Sequence, residues 1–587
     1  VQILSEETSY TDNYRFIGSF WAEAQIIKGL TVRASYNNDS AYTYDYIYYN
    51  QNHPYAADKG RILDRNRFVM TNTIDLYANY NRKIGEDFEL GAMVGHSFLK
   101  TRSRTSYIDA QNYPSPAFDV ASVAANIVDA SAGLSEYAIE SYFARLSLAY
   151  KDRYVVNATI RTDGSSRFAP NTRWGYFPAA SVGWRMSDES FLRDVKWVDD
   201  LKIRASVGQT GNAQIGNSEY LALYGSTNID LGNGLTSQVY PTQIANNDLG
   251  WEKNTQYNVG LDVSLWRGTL GFTADYYYSK TTDMLFDVPV SSVSGLTSSN
   301  VNIGSMQNKG IELALTSRRS FGDFSYAFAA NWSLNRNKVL SLGDENADII
   351  KESSYAGGYY LTRVGQPVGC YYLLVQDGIF HNQEELDSYP HFDTTTIGDF
   401  RFVDANGNGI LEKDADRVIV GNYMPDFYYG FSVNLSYKGF DLAANFQGVY
   451  GNEILNLERR YLLNMEASSN MMKESLQRYP YGELNRATRK SSGNNGACTS
   501  TFHLEDGSYL RLQNLSLGYT FPDRWTRKAG ISKLRIYVQG TNLFTWTDYS
   551  GYNPEVNKRS TDALRPGEDY CSYPLSRTFS VGVNFNL

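Results

Sequence analysis

The chain has 587 residues, a formal net charge of −9, a sequence pI near 5.3 and a mean hydropathy of −0.42. This acidic balance argues against a nucleic-acid partner, which would need a basic stripe. No apolar run is long enough for a membrane-crossing helix, so a helical membrane protein is excluded. A transmembrane β-barrel is not, because polar lumen positions cancel lipid-facing ones in any average. Aromatic residues make up 14%, with 47 Tyr against 28 Phe and 9 Trp. Tyrosine suits a bilayer interface, where the ring lies among headgroups and the hydroxyl stays wet, though a soluble β-rich protein also uses it.

From the start the chain reads as strands. No signal peptide precedes the strand-like YRFIGSFWAEAQI, so the sequence reads as a processed product or a fragment. Tyr142, Ala144, Leu146, Leu148 and Tyr150 alternate with polar Arg145 and Ser147. After the turn YKDRY comes YVVNATI, then the polar excursion Arg161-Thr-Asp163-Gly-Ser-Ser-Arg167-Phe168 and a returning strand, AASVGWRM. Tyr257, Val259, Leu261, Val263 and Leu265 alternate again, and Leu270 to Tyr276 follow a short turn at Arg267-Gly268. Residues 427–450, FYYGFSVNLSYKGFDLAANFQGVY, fold at Lys438-Gly439 into a hairpin oily on one face. There Phe431 should face Phe446 and Val433 should face Ala444, while Ser432, Asn434, Asp441, Asn445 and Gln447 form the polar wall. Each arm has about the 10 residues that a tilted strand needs to cross a bilayer. Near Asn514 the apolar parity shifts, which predicts a bulge. The alternation then returns at Leu534 to Val538 and at Phe579 to Leu587.

Roughly sixteen such segments, with short turns alternating with long loops, predict an all-β fold. The fold class is a transmembrane antiparallel β-barrel with short periplasmic turns and long extracellular loops. The long connections fall at about 100–136, 208–254, 281–309, 339–425 and 451–508. No catalytic constellation is present: there is no GxSxG or HExxH, and the five histidines lack metal-ligand spacing. Cys370, Cys498 and Cys571 are too scattered for a disulfide framework or a zinc site.

One loop has sharper chemistry. Asp404, Asn406 and Asn408, then Gly409, place oxygen ligands and a turn glycine as the first half of a calcium loop does. Glu412, Asp414 and Asp416 follow, but the position where a bidentate acid is expected is Ala415. The competing reading is a loop held by its own Asx-turn hydrogen bonds, and any calcium would be structural. Arg161, Asp163 and Arg167 suit either a lumen charge network or a rim contact. Tyr355, Tyr359 and Tyr360 suit either stacking on a ligand or loop packing.

The segments YVVNATIRTDGSSRF, RWGYFPAASVGWRMSDE, LKIRASVGQTGN, NKGIEL, DFRFVDANGNGILEKDADRVIVGN, DGSYLRLQNLSLGYTFP and LRIYVQGTNLFTWTDYSGYNPEV occur in this order. Together with the hairpin they resemble the SusC/RagA family of TonB-dependent outer-membrane transporters of Bacteroidetes, over about 140–587. The resemblance implies a barrel of about 22 strands and TonB-dependent uptake of oligosaccharides or peptides. It also implies a plug domain, a TonB box coupled to TonB–ExbB–ExbD and a SusD-like surface lipoprotein as partner. With no catalytic constellation in the sequence, no enzymatic activity and no required cofactor are expected. No plug or TonB box is recognised, so residues 1–587 are expected to form one barrel domain from the C-terminal portion of a longer protein. A passive porin-like channel and a surface-attachment barrel are the alternatives.

Overall fold

The computed structural model describes residues 6–586, apart from 57–58, 231–233, 290–294, 297, 344, 354–357, 467–469, 474, 476–483, 490–494, 496–498 and 559. Among the described residues, seventeen strands belong to one large sheet. They are β1 (Glu7–Ile27), β2 (Leu30–Tyr49), β3 (Arg61–Ile84), β4 (Phe88–Gln111), β5 (Asn126–Tyr150), β6 (Tyr154–Ser165), β7 (Trp174–Arg185), β8 (Val198–Asn212) and β9 (Glu252–Leu265). The others are β10 (Leu270–Thr282), β11 (Ser305–Phe321), β12 (Phe324–Ser341), β13 (Phe427–Tyr437), β14 (Phe440–Tyr450), β15 (Tyr509–Thr520), β16 (Lys533–Thr547) and β17 (Thr578–Asn586). The chain divides into two compact units, Val1–Gly183 with Ser206–Thr255 and Thr282–Ile303, and Trp184–Ala205 with Gln256–Thr281 and Gly304–Leu587.

In the first unit β1 to β6 pair antiparallel in chain order. The turns are tight because their residues accept left-handed backbone: Gly29 has φ 88°, and Lys151 and Asp152 both have φ 54°. Register puts Ile74 and Leu76 beside Phe98 and His96, and Val94 and Leu148 beside Ala144 and Leu90. Ile74, Leu76, Val94, Leu146 and Leu148 share this face and are 40–60% exposed. In water such a row would be unfavourable by about 25 cal/mol per Å² of apolar surface, so it suits hydrocarbon. The opposite face is wet in character: Ser97, Ser35 and Asn37 all donate to the Asp75 carboxylate, at 2.6, 3.2 and 3.3 Å.

Strand length corrects one expectation. β4 and β5 have 24 and 25 residues, so the connection expected at 100–136 shrinks to 112–125. Alternation is lost beyond the lipid-facing band because both faces there can be polar, and the strand continues unseen. Similarly, 208–254 holds a hairpin, Leu223–Asp230 with Leu235–Gln243, and 281–309 holds another, Leu285–Pro289 with Ser298–Asn302.

In the second unit the hairpin β13–β14 has the expected register, from Tyr437 opposite Phe440 to Tyr429 opposite Gly448. Lys438 and Gly439 have φ 47° and 89°, the two positive values of a type I′ turn. Phe431 and Phe446 stack with ring centroids 4.5 Å apart. The bulge is present: Asn445 pairs with Asn514 and Phe446 with Leu512, leaving Gln513 as the extra residue.

The wet face of this unit uses one device twice. Arg204 on β8 passes over Gly260 on β9 to reach Asp275 on β10 at 2.5 Å, and a Cβ at Gly260 would lie 2.4 Å from the guanidinium carbon. Arg535 on β16 passes over Gly518 on β15 to Asp441 on β14, also at 2.5 Å. Each glycine is the gap that lets a charged side chain span two strands.

The connections 339–425 and 451–508, expected as loops, build a packed head. Ile349–Glu352, Tyr359–Thr362, Cys370–Leu373 and Val418–Gly421 form a four-stranded sheet. Leu374, Phe400, Phe402, Leu463, Met465 and Phe502 are among the members of a buried apolar cluster beside it. Strands of four residues show too little alternation to stand out in a sequence rich in turn residues.

Candidate ligand-facing surfaces

β6 ends in the RTDGSSRF segment, in the first unit. Arg161 Nε donates to Asp163 Oδ1 at 2.8 Å and an Arg161 amino group donates to Ser141 Oγ at 3.0 Å. Asp163 is buried, and Phe168 is fully buried with Phe177, Ala213, Leu249 and Trp251. Arg167 donates to Asn217 Oδ1 and to the Ala213 carbonyl, both at 2.9 Å, and its guanidinium lies 4.0 Å from the Tyr137 ring centroid. These hydrogen bonds tie the returning loop to β5 and to the segment around Ala213 and Asn217. Arg161 and Asp163 come together, while Arg167 ties a different part of the same unit.

In the head, the loop 404–416 is a set of side chains accepting from its own backbone. Asp404 accepts from the N–H groups of Gly407 and Gly409 at 2.8 and 2.7 Å. Asn406 accepts from Asn408, and Asn408 from Ile410. Asp416, fully buried, accepts from Ala405 and Asn406 on one oxygen and from Glu412 on the other. Asp414 points outward and pairs with Arg417 at 2.8 Å. Among the described residues no group of three or more His, Cys, Asp or Glu is arranged to hold a metal ion. The geometry is that of nested Asx turns.

Arg417 also lies 3.3 Å from the Tyr359 ring centroid, which joins the two regions singled out in the sequence. Tyr360 is only 1% exposed and packs with Tyr371, Leu373, Leu455 and Leu457. A ring enclosed in this way has no face for a sugar, so Tyr360 is a core residue of the head. Tyr355 and Cys498 lie outside the described residues. Burial pushes the Cys370 thiol up to about 11, and Cys370 and Cys571 are both free.

A surface that motif reading missed lies where β13, β14 and β15 meet the head. A cavity of about 320 Å³ is lined by Tyr423, Tyr428, Gln447, Asn452, Tyr509 and Glu555, among others. Tyr428 shares the polar parity of β13, with Gly430, Ser432 and Asn434, and is 46% exposed. Arg511, buried on the same face of β15, donates to Glu555 at 2.5 Å and to Asn553 at 2.7 Å, and so holds the segment that closes the cavity. The available signal was a tyrosine on the polar side of an alternating strand. The rest of the lining comes from four other stretches, around Asn331, Gln447, Tyr509 and Glu555, so no local motif collects them.

The family model described as TonB dependent receptor-like, beta-barrel, matches residues 4–543. The TonB-dependent receptor P3 of Formosa agariphila is 34% identical over 537 residues, covering 88% of this chain and 52% of that protein. The TonB-dependent receptor SusC of Bacteroides thetaiotaomicron is 27% identical over 541 residues, covering 87% and 50%. The chain thus spans about half the length of these curated relatives. Among solved structures, that of the RagAB peptide transporter is similar with a TM-score of 0.84 and 25% identity, over 99% of this chain and 62% of that one. A family match along most of the chain, over a large antiparallel sheet with one oily face, places this protein in the TonB-dependent receptor β-barrel family, as a SusC/RagA-type protein of the outer membrane.

Proposed function

We propose that this chain is the wall and outer head of a nutrient importer that takes up oligosaccharides or peptides by TonB-dependent transport. The observation that carries the reading is the likeness to the RagAB peptide transporter along almost the whole chain. In this reading a SusD-like lipoprotein closes over ligand held at the outer rim. TonB, driven through ExbB and ExbD, then displaces a plug, and the ligand passes along the polar wall that includes Ser432, Asn434, Asp441, Asn445 and Gln447. The wall's work is passive: it offers hydrogen-bonding side chains on one face and hydrocarbon-compatible ones on the other.

The test is uptake by cells in which the full-length gene is deleted and then restored. Labelled oligosaccharide and peptide pools are supplied with and without a protonophore. Restoration of uptake that the protonophore abolishes is the expected result. Uptake that is restored but indifferent to the protonophore would replace the importer with a passive channel.

A further inference from the structure

The outward face of the first unit runs on past the band that suits hydrocarbon. Its parity is kept, because β3 and β4 pair without a register shift and β4 and β5 do so as far as Asp109. Aromatic rings mark the two edges of the band. Phe88 and Tyr150, with ring centroids 4.6 Å apart, lie at the turn end of β4 and β5, and Tyr36, Phe98 and Tyr142 lie at the other. At about 3.4 Å per residue and a tilt of about 40°, β4 climbs about 25 Å from Phe88 to Phe98, the height of a barrel's apolar band. The next outward positions of β4 are Lys100, Arg102 and Arg104, about 5, 10 and 15 Å farther out. Among the described outward positions of β1 to β6, the remaining Lys or Arg is Arg82, beside the β3–β4 turn.

Charge, shape and height together point to a ligand for this row. Glu136 serves two of the cations, at 3.7 Å from Lys100 and 3.0 Å from Arg102. Glu140, nearer the band, is engaged by Tyr142 and His96 at 2.8 and 3.2 Å. Arg104 is exposed and, among the described residues, pairs with no acid: its cross-strand neighbours are Phe68 and Leu134, themselves 41% and 57% exposed. Beside it lies an open groove of about 510 Å³, lined by Tyr42, Phe68, Ser106, Ala132 and Leu134 among others. A phospholipid headgroup layer is about 5–8 Å deep. The row and its groove reach about twice as far, which suits a headgroup built of sugar. A guanidinium fork holds phosphate through paired charge-assisted hydrogen bonds, and a sugar's C–H face packs on an aromatic ring. We propose that Lys100, Arg102 and Arg104 bind the phosphate of a phosphorylated glycolipid of the outer leaflet. Its sugar lies in the groove beside Phe68, and its acyl chains lie along the oily band below. The contact is on the outside of the sheet and is independent of what the protein imports.

The experiment titrates the purified, delipidated full-length protein in detergent with diphosphoryl lipid A, read by native mass spectrometry. Chemically dephosphorylated lipid A, phosphatidylglycerol and inorganic phosphate are the comparisons. Diphosphoryl lipid A should bind about tenfold or more tightly than the other two lipids. Inorganic phosphate at the same concentration should leave it bound. Arg104→Gln, which orphans no carboxylate, should weaken binding about fivefold or more. Leu134→Glu, which gives Arg104 an acid of its own, should weaken it to a similar degree, and Arg82→Gln should leave it unchanged. Heat-modifiability gels establish that each variant is folded. The proposal is overturned if diphosphoryl lipid A does not bind, or if the dephosphorylated form or phosphatidylglycerol binds as tightly. It is equally overturned if inorganic phosphate displaces the lipid, if folded Arg104→Gln or Leu134→Glu binds as the parent does, or if Arg82→Gln weakens binding as much.

Discussion

Gly518 and Asp416 show how much can depend on one residue in this chain. At Gly518 the missing side chain is the passage for the Arg535–Asp441 pair, and an alanine Cβ would come 2.6 Å from an Arg535 nitrogen. The pair could persist only if strands or guanidinium moved. Gly518→Ala should therefore destabilise the barrel by about 1–3 kcal/mol, as overpacking does. A lowered temperature for loss of the compact band in heat-modifiability gels would register it, and an unchanged temperature would mean that the guanidinium has room to yield. Asp416 accepts three backbone N–H groups, and Asp416→Asn removes one acceptor oxygen from loop 404–416. The expected cost is about 1–3 kcal/mol for the orphaned donors, seen as faster hydrogen exchange at 404–416. The same measurement tests calcium. With its oxygens already accepting from backbone, the loop should exchange at the same rate in EDTA and in millimolar calcium. Strong protection by calcium would assign Asp404, Asn406, Asn408 and their acidic neighbours to a cation.

At the scale of elements, the transmembrane hairpins were open to reading and the head was not. Register, turn and face of β13–β14 follow from a period of two, because one face must be apolar along the whole band and a one-residue slip would invert it. The bulge at Gln513 was visible for the same reason, as a break in that period. The head has no such discipline: Tyr360 and Leu361 are consecutive and both fully buried, since the short strand they share is covered on both faces. That is why the sequence left Tyr360 open between ligand stacking and loop packing. It is also why the Tyr428 cavity, assembled from β13, β14, β15 and a distant segment, left no motif. Glu453, in the short head strand Glu453–Asn456, gives this element a pH signature. Burial raises its pKa above the ordinary 4.5, Asp506 adds to the effect, and the Asn422 N–H opposes it. A carboxyl raised in the folded state contributes stability that is full below 4.5 and is lost as pH rises through its folded value. Glu453→Gln cannot ionise there. Thermal melts of the full-length parent and variant should converge near pH 4 and diverge in the variant's favour toward pH 7. A difference that does not change with pH would refute it.

For the molecule as a whole, the question is whether the full-length protein holds a filled or an open lumen. Closed barrels of about 16–18 strands leave an aqueous channel, and those of about 22 strands carry a plug. The polar face found here, with its Arg–Asp pairs and its carboxylate networks, would wet such a channel readily. An unfilled lumen would therefore conduct ions steadily, whereas import against a gradient requires that it does not. The full-length protein in planar bilayers should accordingly show no sustained conductance at moderate voltage. Current should appear when a denaturant such as urea loosens the lumen's contents, and should subside on its removal. Steady ohmic current from the untreated protein would instead make this wall a porin-like channel. The head and the Tyr428 cavity would then act as a selectivity rim rather than as the outer half of a pump.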